Sequence, residues 1–336
     1  MTARDLAREL RSVNRFDRHA YMRALEEVDF DTALQIVRRC LERGVPRDAI
    51  VGDLLGPLQE EIGERWEEGR CSVADEHAAS GITESVVTAL SFDRPAAQCG
   101  AVVMACVEHE WHSLPARMAG LLLADRGWQV TLLGASVPAE DIGRFTEGRS
   151  LAGLAVSCST PATLLPARRM IEAAHAKGLR VLAGGRGFGT DGERARRLGA
   201  DGWGANVEHA HRTLQAWQER PAGGPLVEPP LDREAETIAE STHELAIGMA
   251  EELAAAGAEH AGSLTRLLED GGRALQMIAS AAIVDEPGIV GEHIRWLRGV
   301  SAARYGEGRY VDTLIRALRA ALKELPGTGR ILPVLT

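Results

Sequence analysis

The segment Glu108-His109-Glu110-Trp111-His112-Ser113-Leu114-Pro115 places two imidazoles and two carboxylates side by side. Such groups are costly to bury unpaired and add little to packing, so their residue types suit a ligand or metal site. A metal-bound imidazole commonly gives its other ring proton to a carboxylate that fixes the tautomer, and Glu110-x-His112 sets those groups two residues apart. The same residues also suit a solvated polar turn capping a helix that starts near Leu114. Two further clusters carry hydroxyls and glycines: Ser157-Cys158-Ser159-Thr160 and Gly184-Gly185-Arg186-Gly187. Small residues of this kind open a narrow slot and line it with hydrogen bonds. The glycines are not a dinucleotide fingerprint, because Gly185-x-Gly187-x-Gly189 lacks the GxGxxG spacing. A third group is Trp66 followed ten positions later by Glu76-His77, which reads as a flat apolar surface beside a carboxylate and a metal-competent imidazole, or as a core aromatic beside a solvated helix face.

Punctuation and periodicity supply the elements that must position these groups. Breaks at Arg94-Pro95 to Gly100 and at Pro221 to Asp232 cut the chain into domains at 1–94, 95–222 and 233–336. In the first, apolar residues recur at helical spacing (Ala33, Ile36, Val37, Cys40), predicting a bundle of about four helices that ends with one over 72–91. In the second, short apolar runs at 101–107, 130–133, 151–157 and 179–183 alternate with helical segments. Runs that are apolar on every side predict a doubly wound parallel sheet covered by helices, closing near 203–205. Ligands of such sheets sit beyond the carboxyl ends of the strands, where the 108–115, 157–160 and 184–187 clusters fall. In the third domain, stripes such as Leu314, Ile315, Leu318 and Leu322 predict an all-helical fold.

Composition narrows the function classes. The chain has 336 residues, with 38 Lys plus Arg against 48 Asp plus Glu, a formal charge of −10. No basic block offsets that field, so direct DNA binding is not expected. The apolar runs are short of a membrane span and the start lacks a signal-peptide core, so a cytoplasmic protein with no membrane partner is expected. Five cysteines, an odd number with no CxxC spacing, argue against a disulfide framework and predict reduced, mostly buried thiols.

A Glu-x-His loop after the first strand, a Ser-x-Ser/Thr after a middle strand and a Gly-Gly after the next resemble the flavodoxin-like cobalamin-binding module of B12-dependent mutases, methyltransferases and photoreceptors. The resemblance implies that His112 ligates cobalt from below with Glu110 orienting it, while Ser157, Ser159, Thr160, Gly184 and Gly185 receive the cofactor's nucleotide tail. One departure is Pro115, where the family usually has glycine, although proline suits a first helical turn. The bundle's Trp66 with Glu76-His77 is similar to the W-x9-E-H signature of light-sensing adenosylcobalamin proteins. There the tryptophan packs on the adenosyl group, the glutamate hydrogen-bonds it, and the histidine (here His77) becomes an upper ligand after photolysis. A corrinoid methyl carrier serving a separate methyltransferase is the alternative, though it needs an upper face open to partners. A mutase would need a catalytic barrel for which there is no room.

Residues 233–336 resemble the helical, globin-like C-terminal part of photocobilins, which pair cobalamin with a linear tetrapyrrole such as biliverdin. A bilin brings propionates for arginine, pyrrole nitrogens for a histidine and a conjugated face for aromatics. His260, His293, Tyr305 and Arg309 are the candidates, with His243 and Tyr310 of the same types nearby, and a cysteine thioether is excluded because the last cysteine is Cys158. The alternative is an amphipathic bundle for dimerisation or partner contact. The expectation is a non-enzymatic adenosylcobalamin photoreceptor with cobalt at His112, a bilin as second chromophore, and an unnamed downstream partner or homo-oligomer as its output.

Overall fold

The computed structural model describes residues 12–92, 96–220, 226–227, 229–231, 233–255, 261–306, 308–323, 325 and 328–335. The chain divides into two compact units, Met1–Gly100 with Ser113–Leu132, and Ala101–His112 with Leu133–Thr336.

The first unit holds α1 (Arg15–Glu26), α2 (Phe30–Glu42), α3 (Arg47–Ile50), α4 (Gly56–Glu67), α5 (Val73–Leu90) and α6 (Leu114–Asp125). Local chemistry sets their starts. Asn14 accepts the Phe16 and Asp17 N–H groups, Asp29 accepts that of Thr32, and Ser72 with Asp75 forms a reciprocal capping box. A π-helical turn, Val51–Leu55, joins α3 to α4 and buries Leu54 and Leu55 together. The apolar stripes meet in one core of Tyr21, Leu25, Ile36, Val37, Ile50, Leu58 and Val86, to which α6 adds Leu114, Met118 and Leu121. Each such side chain contributes about 1.5–3 kcal/mol of burial.

Next come β1 (Gly100–Val107), β2 (Trp128–Val137), α7 (Ala139–Thr146), β3 (Gly153–Ser157), α8 (Leu164–His175), β4 (Val181–Gly184), α9 (Glu193–Arg197), β5 (Gly202–Gly204) and α10 (Val207–Glu219). The sheet order is β2-β1-β3-β4-β5, with β1–β3, β3–β4 and β4–β5 parallel. The chain therefore reverses its winding between β1 and β3, which makes the carboxyl ends of those strands the expected ligand crevice. Register aligns Cys106, Ser157, Gly184 and Gly204 in one row across that edge. The doubly wound parallel sheet expected from the apolar runs is thus present, in the strand order of the flavodoxin-like module that the resemblance implies. Only β2 is much longer than its apolar run, continuing through the half-buried Gly134 and Ser136 to Val137.

Among the described residues there follow α11 (Arg233–Glu240), α12 (Thr242–Ala255), α13 (Ala261–Ile283), α14 (Gly288–Tyr305) and α15 (Gly308–Leu322). Residues 221–225, 228 and 232 of the proline- and glycine-rich stretch lie outside the described residues, as does the 94–95 break. On either side of that stretch the hydrophobic core is continuous: Val156, Leu164 and Phe188 of the sheet layer share a cluster with Leu275, Ile278 and Ile283 of α13. A Cβ on Gly271 would lie 2.3 Å from Met249 Sδ, so α12 and α13 cross closely there. Among the described residues no helix is long and apolar enough to cross a membrane.

Candidate functional site

The loop after β1 is built around one buried carboxylate. Glu110 is 0% exposed. Its Oε1 accepts the His112 backbone N–H at 2.9 Å and the ring Nδ1–H at 2.6 Å, and its Oε2 accepts the Ser159 N–H at 2.6 Å. Burial works against the ionised form, but the bonds from the His112 ring and backbone and from Ser159 outweigh it and hold the carboxyl below the usual carboxylate range. The loop backbone is pinned as well: Ser136 N–H donates to the Glu110 carbonyl at 2.9 Å, and the Ser136 hydroxyl accepts the His109 N–H at 3.0 Å. Both His109 (φ 65°) and Ser136 (φ 48°) sit in the left-handed region, a conformation that costs energy in residues other than glycine.

The consequence for His112 is a fixed tautomer. With Nδ1–H given to Glu110, the neutral ring carries its lone pair on Nε2, and its side chain is 70% exposed. Pro115 falls in the first turn of α6, where its missing N–H has no intrahelical role.

The structure brings the expected strand-end residues to one place. Ser159 N–H reaches the carboxylate that orients His112, and Ser157 pairs with Gly184 across β3 and β4. Ser159 Oγ is buried and makes no hydrogen bond. Thr160 caps the 3-10 turn Pro161–Thr163, its hydroxyl accepting the Ala162 N–H. The neighbouring glycines differ. Gly185 (φ 102°) lies so close to the β3 end that a Cβ would stand 2.3 Å from the Cys158 carbonyl oxygen, whereas a Cβ on Gly184 would meet nothing nearer than the Val156 carbonyl oxygen at 3.9 Å. Packing demands glycine at 185; at 184 the protein leaves space.

In the first unit, Trp66 is half-buried in the last turn of α4, and Glu76 and His77 occupy the first turns of α5. Glu76 Oε1 accepts the Ser80 hydroxyl at 2.8 Å, and that hydroxyl lies 3.0 Å from Gln59 Oε1. Gln59 Nε2 donates to Thr83 Oγ1 at 2.8 Å. His77 Nε2 is 3.5 Å from Glu76 Oε2, with its side chain 74% exposed.

Among the described residues, the bilin candidates His293 and Tyr305 are not gathered. His260 and the side chain of Arg309 lie outside the described residues. His293 lies in the second turn of α14 and Tyr305 is its last residue, about 18 Å apart along the helix. His293 is buried, stacks on Trp296 at 5.6 Å, and has no hydrogen bond at Nε2. Burial and the nearby Arg273 charge lower its pKa to about 4. Tyr305 is partly exposed, with the Arg266 guanidinium 3.6 Å above its ring, and His243 is exposed.

Ser136 and Gln59 were not foreseen. Ser136 lies in a strand whose polarity hid it; Gln59 stands seven residues before Trp66 on the same face of one helical segment, a spacing that could have marked it.

Comparison with known proteins bears on this arrangement. Residues 18–91 and residues 100–211 each match a family model described as a B12 binding domain. A stretch of 92 residues is 40% identical to the HTH-type transcriptional repressor CarH of Myxococcus xanthus, covering 27% of this chain and 31% of that protein. The chain thus spans about a third of that repressor. The fold resembles a monomethylamine corrinoid protein of Methanosarcina barkeri, with a TM-score of 0.50 and 16% identity over 62% of this chain and 98% of that one. The chain carries cobalamin-binding domains.

Proposed function

We propose that this cobalamin-binding protein is a light sensor whose pigment is adenosylcobalamin, with His112 as the lower cobalt ligand. The observation that carries the reading is the outward imidazole whose tautomer is set by a fully buried carboxylate. An imidazole whose other ring N–H is held by a carboxylate would be suited to donate to a metal. The strand ends fit the rest of the group: the buried, unbonded Ser159 hydroxyl and the space above Gly184 suit a polar tail beside Ser157, Thr160 and Gly185.

Bound, adenosylcobalamin supplies a cobalt–carbon bond that visible light breaks. The chain's own residues would hold and read it. Glu110 would keep the lower imidazole aligned, Trp66 would offer an apolar plane and Glu76 an acceptor for the adenosyl group, and His77 would be a second imidazole available to the cobalt. Signalling then requires two arrangements of the chain with different affinity for dark and lit cofactor, read by a partner or by another copy of the chain. The light-sensing part rests on the Trp66, Glu76 and His77 constellation, and the reading assigns the chain no catalytic step. A bilin such as biliverdin is proposed as a second pigment on the unbonded Nε2 of His293 beside Trp296.

The test is to load the full chain with adenosylcobalamin in the dark and illuminate it with green light. A lasting change in the absorption spectrum is expected, and no change overturns the photoreceptor reading. Transfer of a methyl group from methylcobalamin-loaded protein to an added acceptor would favour the methyl carrier instead. Biliverdin should give a red-shifted band; its absence returns the C-terminal helices to an interaction bundle.

A further inference from the structure

We infer that Arg194 is a positioning residue for the nucleotide-tail slot, held in place by the Asp285-Glu286 turn, so that the C-terminal helices and bound cobalamin each depend on the other. The inference rests on the reading of the slot given above.

Two turns form that slot, and they are locked together. Cys158 N–H donates to the Gly184 carbonyl at 3.0 Å, and Gly187 N–H donates to the Cys158 carbonyl at 2.9 Å. A Cβ on Gly187 would lie 2.5 Å from Cys158 Sγ, so the two turns are packed closely against each other. Arg194 on α9 then ties the pair to the helices beyond. Its Nη1 donates to the Gly187 carbonyl at 3.1 Å, while Nε and Nη2 donate to Glu286 Oε2 at 2.9 and 2.8 Å.

Glu286 belongs to the turn between α13 and α14. Asp285 there has φ 50°, and Arg330 donates to its carboxylate at 2.7 Å. Arg197 donates to the Val284 carbonyl of the same turn. A second tie joins the other strand end, where the buried Ser280 hydroxyl of α13 reaches the Ala162 carbonyl at 3.4 Å.

Both turns of the slot are therefore fastened to the segment 280–286. The guanidinium of Arg194 is mostly buried, so removing its carboxylate partner forces it to seek water and pull on Gly187. Any ligand that favours one position of these turns favours the matching position of the helical turn, and the coupling is reciprocal by linkage.

The slot takes only the nucleotide tail, so a tailless corrinoid separates this coupling from general damage. Cobalamin and dicyanocobinamide, which lacks the tail, should be titrated into the full-length protein and its Glu286→Gln and Arg194→Lys variants. We expect each variant to lose about tenfold in cobalamin affinity and to bind cobinamide within twofold of wild type. Cobalamin should also slow hydrogen exchange at 280–290 in wild type but not in Glu286→Gln, and the exchanged pair Arg194→Glu with Glu286→Arg should recover part of the affinity. Variants that bind both corrinoids like wild type, or lose both equally, overturn the coupling and leave the slot intact. A wild-type protein indifferent to the tail overturns the slot itself, and the coupling with it.

Discussion

Two Glu–His pairs in this chain look alike on paper and differ in build. At Glu110-x-His112 the carboxylate is buried, accepts three hydrogen bonds and stands 2.6 Å from Nδ1. At Glu76-His77 the carboxylate is half-buried, shares one serine hydroxyl, and stands 3.5 Å from a ring that is largely exposed. On the proposed reading the first is preorganised, because the buried carboxylate already fixes the ring before any metal is bound. The second lacks such a hold, which on the proposed reading would suit a bond made in one state of the cofactor and not in the other.

The sharpest way to break the contrast is to remove each carboxylate. Glu110→Ala strands the Ser159 and His112 N–H groups in the loop and should cost about 3 kcal/mol of folding stability, read by urea denaturation. Glu76→Ala should stay within about 0.5 kcal/mol. Equal losses would show the two sites are built alike.

His293 adds a third imidazole, buried with no carboxylate at all. Its folded pKa of about 4 lies below the unfolded value near 6.5, so the unfolded chain binds the extra proton first. Its contribution is present in full above pH 6.5 and is lost as pH falls from there toward 4, by roughly 2–3 kcal/mol. His293→Phe should flatten that part of the stability profile. If wild type and variant fall in parallel, Arg273 on α13 and the helices around it do not hold the ring neutral.

Gly184→Ala sharpens the picture of the lower site. With 3.9 Å of room, folding stability should change by less than about 0.5 kcal/mol, while cobalamin affinity should drop about tenfold as the methyl fills the slot. The smallest effect belongs to His77→Ala, with no change in stability or dark spectrum and a changed spectrum only after illumination.

How much of this was legible follows from what a sequence records. The strands of the sheet were readable because both faces are covered, so 101–107 and 151–157 are apolar without alternation. The Glu110–His112 hydrogen bond was readable because a carboxylate and an imidazole two residues apart need a polar partner when buried. The continuity of α13 with the sheet layer was not, since prolines and glycines at 221–232 report where the backbone turns and not which apolar faces later meet. Nor was the Arg194–Glu286 pair, whose members are 92 residues apart and carry no local pattern. Ser136 escaped because a positive φ in a non-glycine residue leaves no mark in composition.

The distribution of thiols has a practical result. Cys40, Cys106 and Cys158 are buried, and burial pushes the Cys158 thiol up to about 12, while Cys71 and Cys99 are partly open and both lie in the first unit. Maleimide dyes or nitroxides offered to the native protein should therefore decorate that half alone. The wild-type chain comes ready for site-directed fluorescence or spin-label work without engineered cysteines.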